Sequence, residues 1–255
     1  VALPGKVFLA SNRYKSFEFT GDGTATLSVN AIEEYGARYR SNGRVPWPHL
    51  LLQQNISSPI GHLAASAPSL ADLEALDFRI AVTLRKAEHR KDASQGYDAR
   101  IHAAQFLMFL SVQNLNAAKA KGYGDYYWFG IGFYDDREAR PKGNRMMDGA
   151  GHAAKGEKKG TGKFIFNVGL EPFSEMGLVP GRELRIQTNI LPLILDGLQT
   201  AWRRGMLGDS DRLEDYKIGG MNIGWEVPGL SDVSASFRGL GLEARGPRFP
   251  KATPP

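Results

Sequence analysis

The 255-residue chain contains no cysteine, which removes disulfides, thiolate metal sites and a cysteine nucleophile at once. Stability must come from burial, and a chain of this length with 42% hydrophobic and 10% aromatic residues can bury a full core without staples. Long apolar runs are missing too: none approaches the roughly 20 residues a helix needs to cross a bilayer, so no membrane partner is expected. The first residues lack the charged-then-apolar layout of a secretory leader. Because the chain starts at Val1 rather than Met, it is expected to be a mature exported protein, secreted or periplasmic, with its leader absent. No recognisable nucleic-acid motif is present, and the net charge of +5 is not interleaved with aromatics, so no nucleic-acid partner is expected.

Two smaller deficits matter as well. Gly160-Thr-Gly-Lys163 looks like a phosphate loop, but Glu157 stands where its first glycine belongs and Phe164 replaces the Ser or Thr, which argues against a nucleotide. His152 has no second ligand at metal spacing. Asp209, Asp211 and Asp215 lack the full spacing of a calcium loop. The expectation is no cofactor, with a structural calcium at that acidic turn as the alternative.

What the chain does have is alternation. Val7 to Ala10, Phe17 to Val29, Val45 to Ile56, Phe78 to Arg85, Ala104 to Asn114, Phe164 to Val168, Glu183 to Ile190, Ile218 to Val227 and Val233 to Leu242 read as short strands with period-two patterning. Lys86 to Asp98 reads as a solvated loop, and Arg137 to Lys163 as a long Gly- and Lys-rich one. One segment reads as helix, Pro192 to Met206, with Pro192 in the first turn and Leu193, Ile194, Leu198, Ala201 and Trp202 forming an apolar stripe. The expected fold is all-β, a two-sheet antiparallel β-sandwich or jelly roll with one late helix, formed as a single domain over residues 1–245 with a Pro-rich tail at 246–255.

The most informative strand is Tyr126-Tyr-Trp-Phe-Gly-Ile-Gly-Phe-Tyr-Asp-Asp136. Tyr127, Phe129, Ile131 and Phe133 form a core face; Tyr126, Trp128, Gly130, Gly132, Tyr134 and Asp136 form the other. Flat rings beside bare glycines suit a surface on which a ring-shaped ligand lies close to the backbone. Other strands repeat the theme. Trp47, His49, Gln53 and Asn55 share one parity, Gln105, Ser111 and Gln113 another wet face, and Arg185 and Gln187 a third, while Asn222 and Glu226 oppose Met221, Ile223 and Trp225.

The closing segment Met221-Asn-Ile-Gly-Trp-Glu-Val-Pro-Gly229, followed by an alternating strand, resembles the concanavalin A-like lectin and glucanase group. It is similar to the Gly-x-Glu-Pro-Phe ending of jelly-roll endoglucanases, from which Gly224-Trp-Glu-Val-Pro228 departs by an inserted valine and a missing phenylalanine. Neither the Glu-x-Asp-x-x-Glu strand of laminarinase-like enzymes nor the Tyr-x-Lys-x-Gly-x-Tyr strand of alginate lyases is present, so the resemblance transfers no catalytic pair.

Local chemistry leaves three readings. Glycoside hydrolysis needs an acid and a second carboxylate; Glu226 is the candidate acid/base and Asp136 or Asp135 its partner, with a polysaccharide or oligosaccharide held by Trp47, His49, Gln53, Gln113, Tyr126, Trp128, Tyr134, Arg185, Gln187 and Asn222. A polysaccharide lyase acting on an acidic glycan would instead draw on His49, Gln53, Arg79, Arg85, Gln113, Tyr134, Arg185 and Gln187. A glycan-binding module would need only the aromatics and amides.

Overall fold

The computed structural model describes residues 7–41, 46–57, 66–116, 120–149 and 160–247. Among these, twelve strands form two six-stranded sheets. The strands are β1 (Phe8–Ser11), β2 (Lys15–Phe19), β3 (Ala25–Asn30), β4 (His49–Asn55), β5 (Ala75–His89), β6 (Gln105–Asn114), β7 (Tyr126–Asp135), β8 (Lys142–Met147), β9 (Phe164–Gly169), β10 (Glu183–Asn189), β11 (Tyr216–Glu226) and β12 (Ser231–Arg245). The outer sheet has the order β1-β2-β3-β12-β5-β10 and the second sheet β4-β11-β6-β7-β9-β8. All pairs are antiparallel except β7 with β9, which run parallel, a departure from the purely antiparallel expectation.

The two inner faces meet in one apolar core. Leu27, Val29, Phe78, Val82 and Val233 come from the outer sheet, and Phe106, Met108, Leu110, Phe129, Ile131, Ile223 and Trp225 from the second. Each is fully or almost fully buried, as period-two alternation demands of a strand with one face inward. Trp225 brings a polar atom into this core, and its Nε1 donates to the Leu27 carbonyl at 3.0 Å, as a buried indole must.

A short helix, α1 (Ala31–Glu34), follows β3, and α2 (Leu191–Arg203) packs against β7 and β9 of the second sheet and β5 of the outer one. Its buried stripe is Leu191, Ile194, Leu198 and Ala201, the spacing of one helical face. Gly197 lets α2 approach β7: a Cβ there would stand 2.7 Å from the Tyr127 hydroxyl. That hydroxyl donates to the Ile194 carbonyl at 2.6 Å.

Two segments expected as loops contain strand. β5 continues past Arg85 to His89 because its charges find partners across the ladder, with Lys86 Nζ 2.6 Å from Asp232. β8 lies inside the expected Arg137–Lys163 loop as an edge strand, and five of its six residues are exposed. Without a buried face it shows no hydrophobic period. His152 and tail residues 248–255 fall outside the described residues.

Candidate functional site

Across the second sheet, every side chain that points away from the core contributes to an open face. Register assigns them. Glu226 pairs with His49 on β4 and Gln105 on β6, and Gln105 pairs with Asp135 on β7. His49, Glu226, Gln105 and Asp135 therefore form one row across four adjacent strands. Asn222 lies opposite Gln53 and Phe109, and Ser111 opposite Gly220 and Trp128. Trp128 and Glu226 thus share the open face, separated along the strands by the six residue steps from Gln105 to Ser111, roughly 20 Å at about 3.4 Å per residue.

A bulge reassigns one end of β7. Phe106 pairs with Tyr134 but Leu107 with Gly132, so Phe133 is an extra residue and the alternation inverts beyond it. Tyr134 consequently turns toward the sandwich interior. It packs edge-on against Trp225, and its hydroxyl meets His89 Nε2 at 2.7 Å. Asp136 goes to the same side, accepting from the Ala104 amide at 2.7 Å and pairing with Lys91 at 3.2 Å. The expectation that Tyr134 and Asp136 join Trp128 is corrected, and Asp135 is the β7 carboxylate on the open face. No feature of the sequence marks the inserted residue.

Asp135 is nearly buried and heavily bonded. Arg137 donates to it through its backbone N (3.0 Å), Nε (2.8 Å) and NH2 (2.6 Å), and Gln105 Nε2 through a 2.8 Å bond. Burial opposes ionisation here, but the Arg137 hydrogen bonds and charge together with Gln105 hold the carboxyl below its ordinary pKa. Glu226 is shifted the other way. Enclosure between β4 and β6 raises its pKa, against a smaller opposing effect of His49, and the charge of Asp148 pushes the same way as enclosure. The two carboxyl groups of the row are shifted in opposite directions, the sense that sets an acid apart from a carboxylate.

Two recesses mark the face. The first, of about 90 Å³, is lined by Gln53, Asn55, Ser111, Gln113, Trp128 and Asn222. Its lining carries amides, a hydroxyl and an indole but no charge, and Asn222 Oδ1 is a buried acceptor without a donor in the protein. The second, of about 100 Å³, is lined by Gln105, Asp135, Arg137, Pro141, Asn144 and Asn167, with Glu226 one strand outside it.

Between them an aromatic ridge fills the sheet. Trp128 contacts Tyr126 edge-on at 4.9 Å and Phe109 at 5.9 Å, and its Nε1 donates to Thr161 Oγ1 at 3.2 Å. Phe109 lies over Gly130, where a Cβ would stand 2.5 Å from the ring. That glycine makes room for a protein ring rather than for a ligand. Trp47 is exposed at the Glu226 end, with the Arg40 guanidinium 5.0 Å from its ring centroid.

Arg185 and Gln187 are elsewhere. They sit on exposed positions of β10, opposite Ala81 and Arg79 in the outer sheet, and Arg185 pairs with Glu183. Arg79 and Arg85 share that strand system, with Arg85 bonded to Ser236. Arg79, Arg85 and Arg185, the guanidinium groups of the lyase reading, are therefore on the far side of the sandwich from Gln53 and Gln113. Gln105, Phe109, Arg137 and Asn167 also belong to this face, and of these only Gln105, which alternates in step with Ser111 and Gln113, carries a signal in the sequence.

At the acidic turn, Asp209 pairs with Lys121 at 2.6 Å and Asp215 accepts from Ser210 Oγ at 2.5 Å. Among the described residues no group of three or more His, Asp or Glu is placed to hold a metal ion.

No protein-family model and no curated protein sequence matches the chain. Solved structures do. A metagenome-derived glycoside hydrolase family 12 endoglucanase is similar over 96% of this chain and 93% of its own, with 10% identity and a TM-score of 0.50. The endoglucanase Cel12A from Rhodothermus marinus covers 96% and 95% at 9% identity and 0.49, and a family 12 xyloglucanase from Bacillus licheniformis 95% and 97% at 11% identity and 0.47. The chain adopts the concanavalin A-like jelly-roll fold.

Proposed function

We propose that the protein is a glycoside hydrolase that takes a polysaccharide across the open face of the second sheet, with Glu226 as proton donor and Asp135 as the second carboxylate. The observation that carries this reading is the Glu226–Gln105–Asp135 row, which sets two carboxyl groups on one open face, with the Glu226 pKa shifted up and the Asp135 pKa shifted down. The likeness in fold to an endoglucanase supports it. Trp128, Tyr126 and Trp47 are the stacking surfaces; Gln53, Gln113, Asn222 and His49 supply hydrogen bonds. An exported, extracellular location suits a polymeric substrate.

Glycan binding without cleavage is the second reading, and one observation favours it. Asp135 already accepts four hydrogen bonds, filling the roughly four acceptor sites of a carboxylate, so it must release one before it can take a proton from water.

Incubation with soluble β-glucans, xylans and uronate-containing glycans separates the readings. New reducing ends without ultraviolet-absorbing product support hydrolysis. An unsaturated, absorbing product would show elimination and contradict the proposal. Retained affinity for an uncut glycan would select the binding module.

A further inference from the structure

Thr161 stands between a carboxylate and the indole of Trp128. Its hydroxyl donates to Asp148 Oδ2 at 2.6 Å, and its oxygen accepts from Trp128 Nε1 at 3.2 Å. Chemistry fixes the direction of this relay: an indole N–H can only donate and an ionised carboxylate can only accept, so the threonine gives its proton to Asp148 and a lone pair to Trp128. The Thr161 amide donates to the same carboxylate oxygen at 2.6 Å. Asp148 therefore orients both the backbone and the side chain of Thr161 through charge-assisted bonds, the stronger kind.

The surrounding chain is shaped to hold this relay. The Asp148 amide donates to the Lys163 carbonyl at 2.8 Å, which ties the end of β8 to the approach to β9. Gly160 has a φ of +71°, and a Cβ there would stand 2.6 Å from Asp148 Oδ1, so only a glycine leaves the carboxylate its place. Lys163 pairs with Asp125 and lies 5.4 Å from the Tyr126 ring centroid. Both rings of the ridge are thus tied to residues 160–163. Trp128 is also a wall of the first recess, so a ring free to turn would change the shape of that recess. Fixing it beforehand lowers the ordering cost left for binding.

We propose that Thr161 and Asp148 are positioning residues that lock the Trp128 ring in place as the sugar-stacking surface of the open face. The inference rests on the reading that this face takes a glycan, whether or not the glycan is cut. Neither residue has to touch the sugar: Thr161 acts through the indole N–H, and Asp148 acts through Thr161.

Binding of cellohexaose and of xylohexaose is measured by calorimetry for wild type, Thr161→Ser, Thr161→Val, Trp128→Phe and the Thr161→Val/Trp128→Phe double variant. Nitrogen-15 NMR follows the Trp128 indole N–H, assigned by its absence from Trp128→Phe. Wild type and Thr161→Ser, which keeps the hydroxyl, should show a slowly exchanging indole proton and similar affinity. Thr161→Val, with native circular dichroism, should show a rapidly exchanging one and bind about tenfold more weakly. On the Trp128→Phe background, which has no N–H to hold, the same change should add nothing. Wild-type affinity in Thr161→Val overturns the inference, and so does a loss that Thr161→Ser shares or that persists in full on the Trp128→Phe background.

A wild type that binds neither oligosaccharide defeats the glycan reading and the inference with it. A wild type that binds, with Thr161→Val binding equally well, defeats the inference alone. Should Thr161→Val fail to fold, Asp148→Ala takes its place: weaker binding with a rapidly exchanging indole proton supports the relay, and unchanged binding overturns it.

Discussion

Arg137 grips Asp135 through three nitrogens, and the side chains of both are largely withdrawn from water. This pair keeps a carboxylate charged on an otherwise enclosed part of the open face. Arg137→Met would leave that charge without its partner, at a cost of about 2–4 kcal/mol in unfolding free energy near neutral pH. The sign of the pH dependence follows from the lowered Asp135 pKa: its stabilisation is complete above the unfolded pKa of about 3.9 and is lost as pH falls through the folded value. Urea titrations of wild type and variant should therefore converge in strong acid. An equal gap in stability at all pH values would contradict this.

Glu226 titrates in the opposite sense. Its carboxyl is pushed above the ordinary Glu range by enclosure, so the acid stays protonated to higher pH, and activity should fall as pH rises through that raised value. The same shift makes its contribution to stability favourable at low pH and unfavourable above it. Carbon-13 titration of the Glu226 carboxyl in the resting protein checks the direction. A midpoint at or below about 4.3, the free-peptide value, would remove the acid from the scheme.

His89 is a third pH-sensitive group, away from the open face. Burial holds its pKa below the usual histidine value, against the charge of Asp136 and with the help of Lys91. It bridges Ser231 and Tyr134 at 2.8 and 2.7 Å. Since the unfolded chain takes up a proton first, stability should drop as pH is lowered through about 6.5 toward the folded pKa. His89→Gln keeps a polar side chain without that titration. The slope of stability against pH over this window should shrink in the variant, as measured by chemical denaturation; an unchanged slope would exclude His89 as its source.

Gly130 and Phe109 form a packing pair, with the ring standing where a β7 side chain would go. Gly130→Val should destabilise by about 1–3 kcal/mol through overpacking. Adding Phe109→Ala should recover part of that loss, giving a nonadditive double-mutant cycle. Additive effects would mean that the ring accommodates the new side chain without strain.

At the first recess, Asn222→Ala removes a buried acceptor that has no donor in the protein. Glycan affinity should weaken by about tenfold, corresponding to about 1.4 kcal/mol, with little change in melting temperature. A large loss of stability with unchanged affinity would assign Asn222 to the fold instead.

The fold was largely legible because burial imposes alternation. Phe78 to Leu84, Phe106 to Val112 and Ile223 with Trp225 each have one face in the core, and their parity assigned Glu226, Asn222, Gln53 and Gln113 to the side they occupy. Parity failed where the chain breaks its own count: the extra Phe133 in β7 exchanged Asp136 for Asp135 and turned Tyr134 inward. Alternation also cannot say which sheet a strand joins. Arg185 and Gln187 have the outward orientation expected of them, but on β10 of the outer sheet, because sheet membership depends on pairing between distant segments. The exposed edge strand β8 left no periodic signal at all.

The most direct test is polysaccharide cleavage by three proteins: wild type, Glu226→Gln, and a control in which Arg185 and Gln187 on the outer sheet are both replaced by alanine. Glu226→Gln should lose at least a hundredfold in turnover, in line with the roughly 10²–10⁴-fold contribution of a general acid, while its glycan affinity stays within a few fold, and the control should match wild type. Full activity in Glu226→Gln, or loss of activity only in the outer-sheet control, would contradict the account.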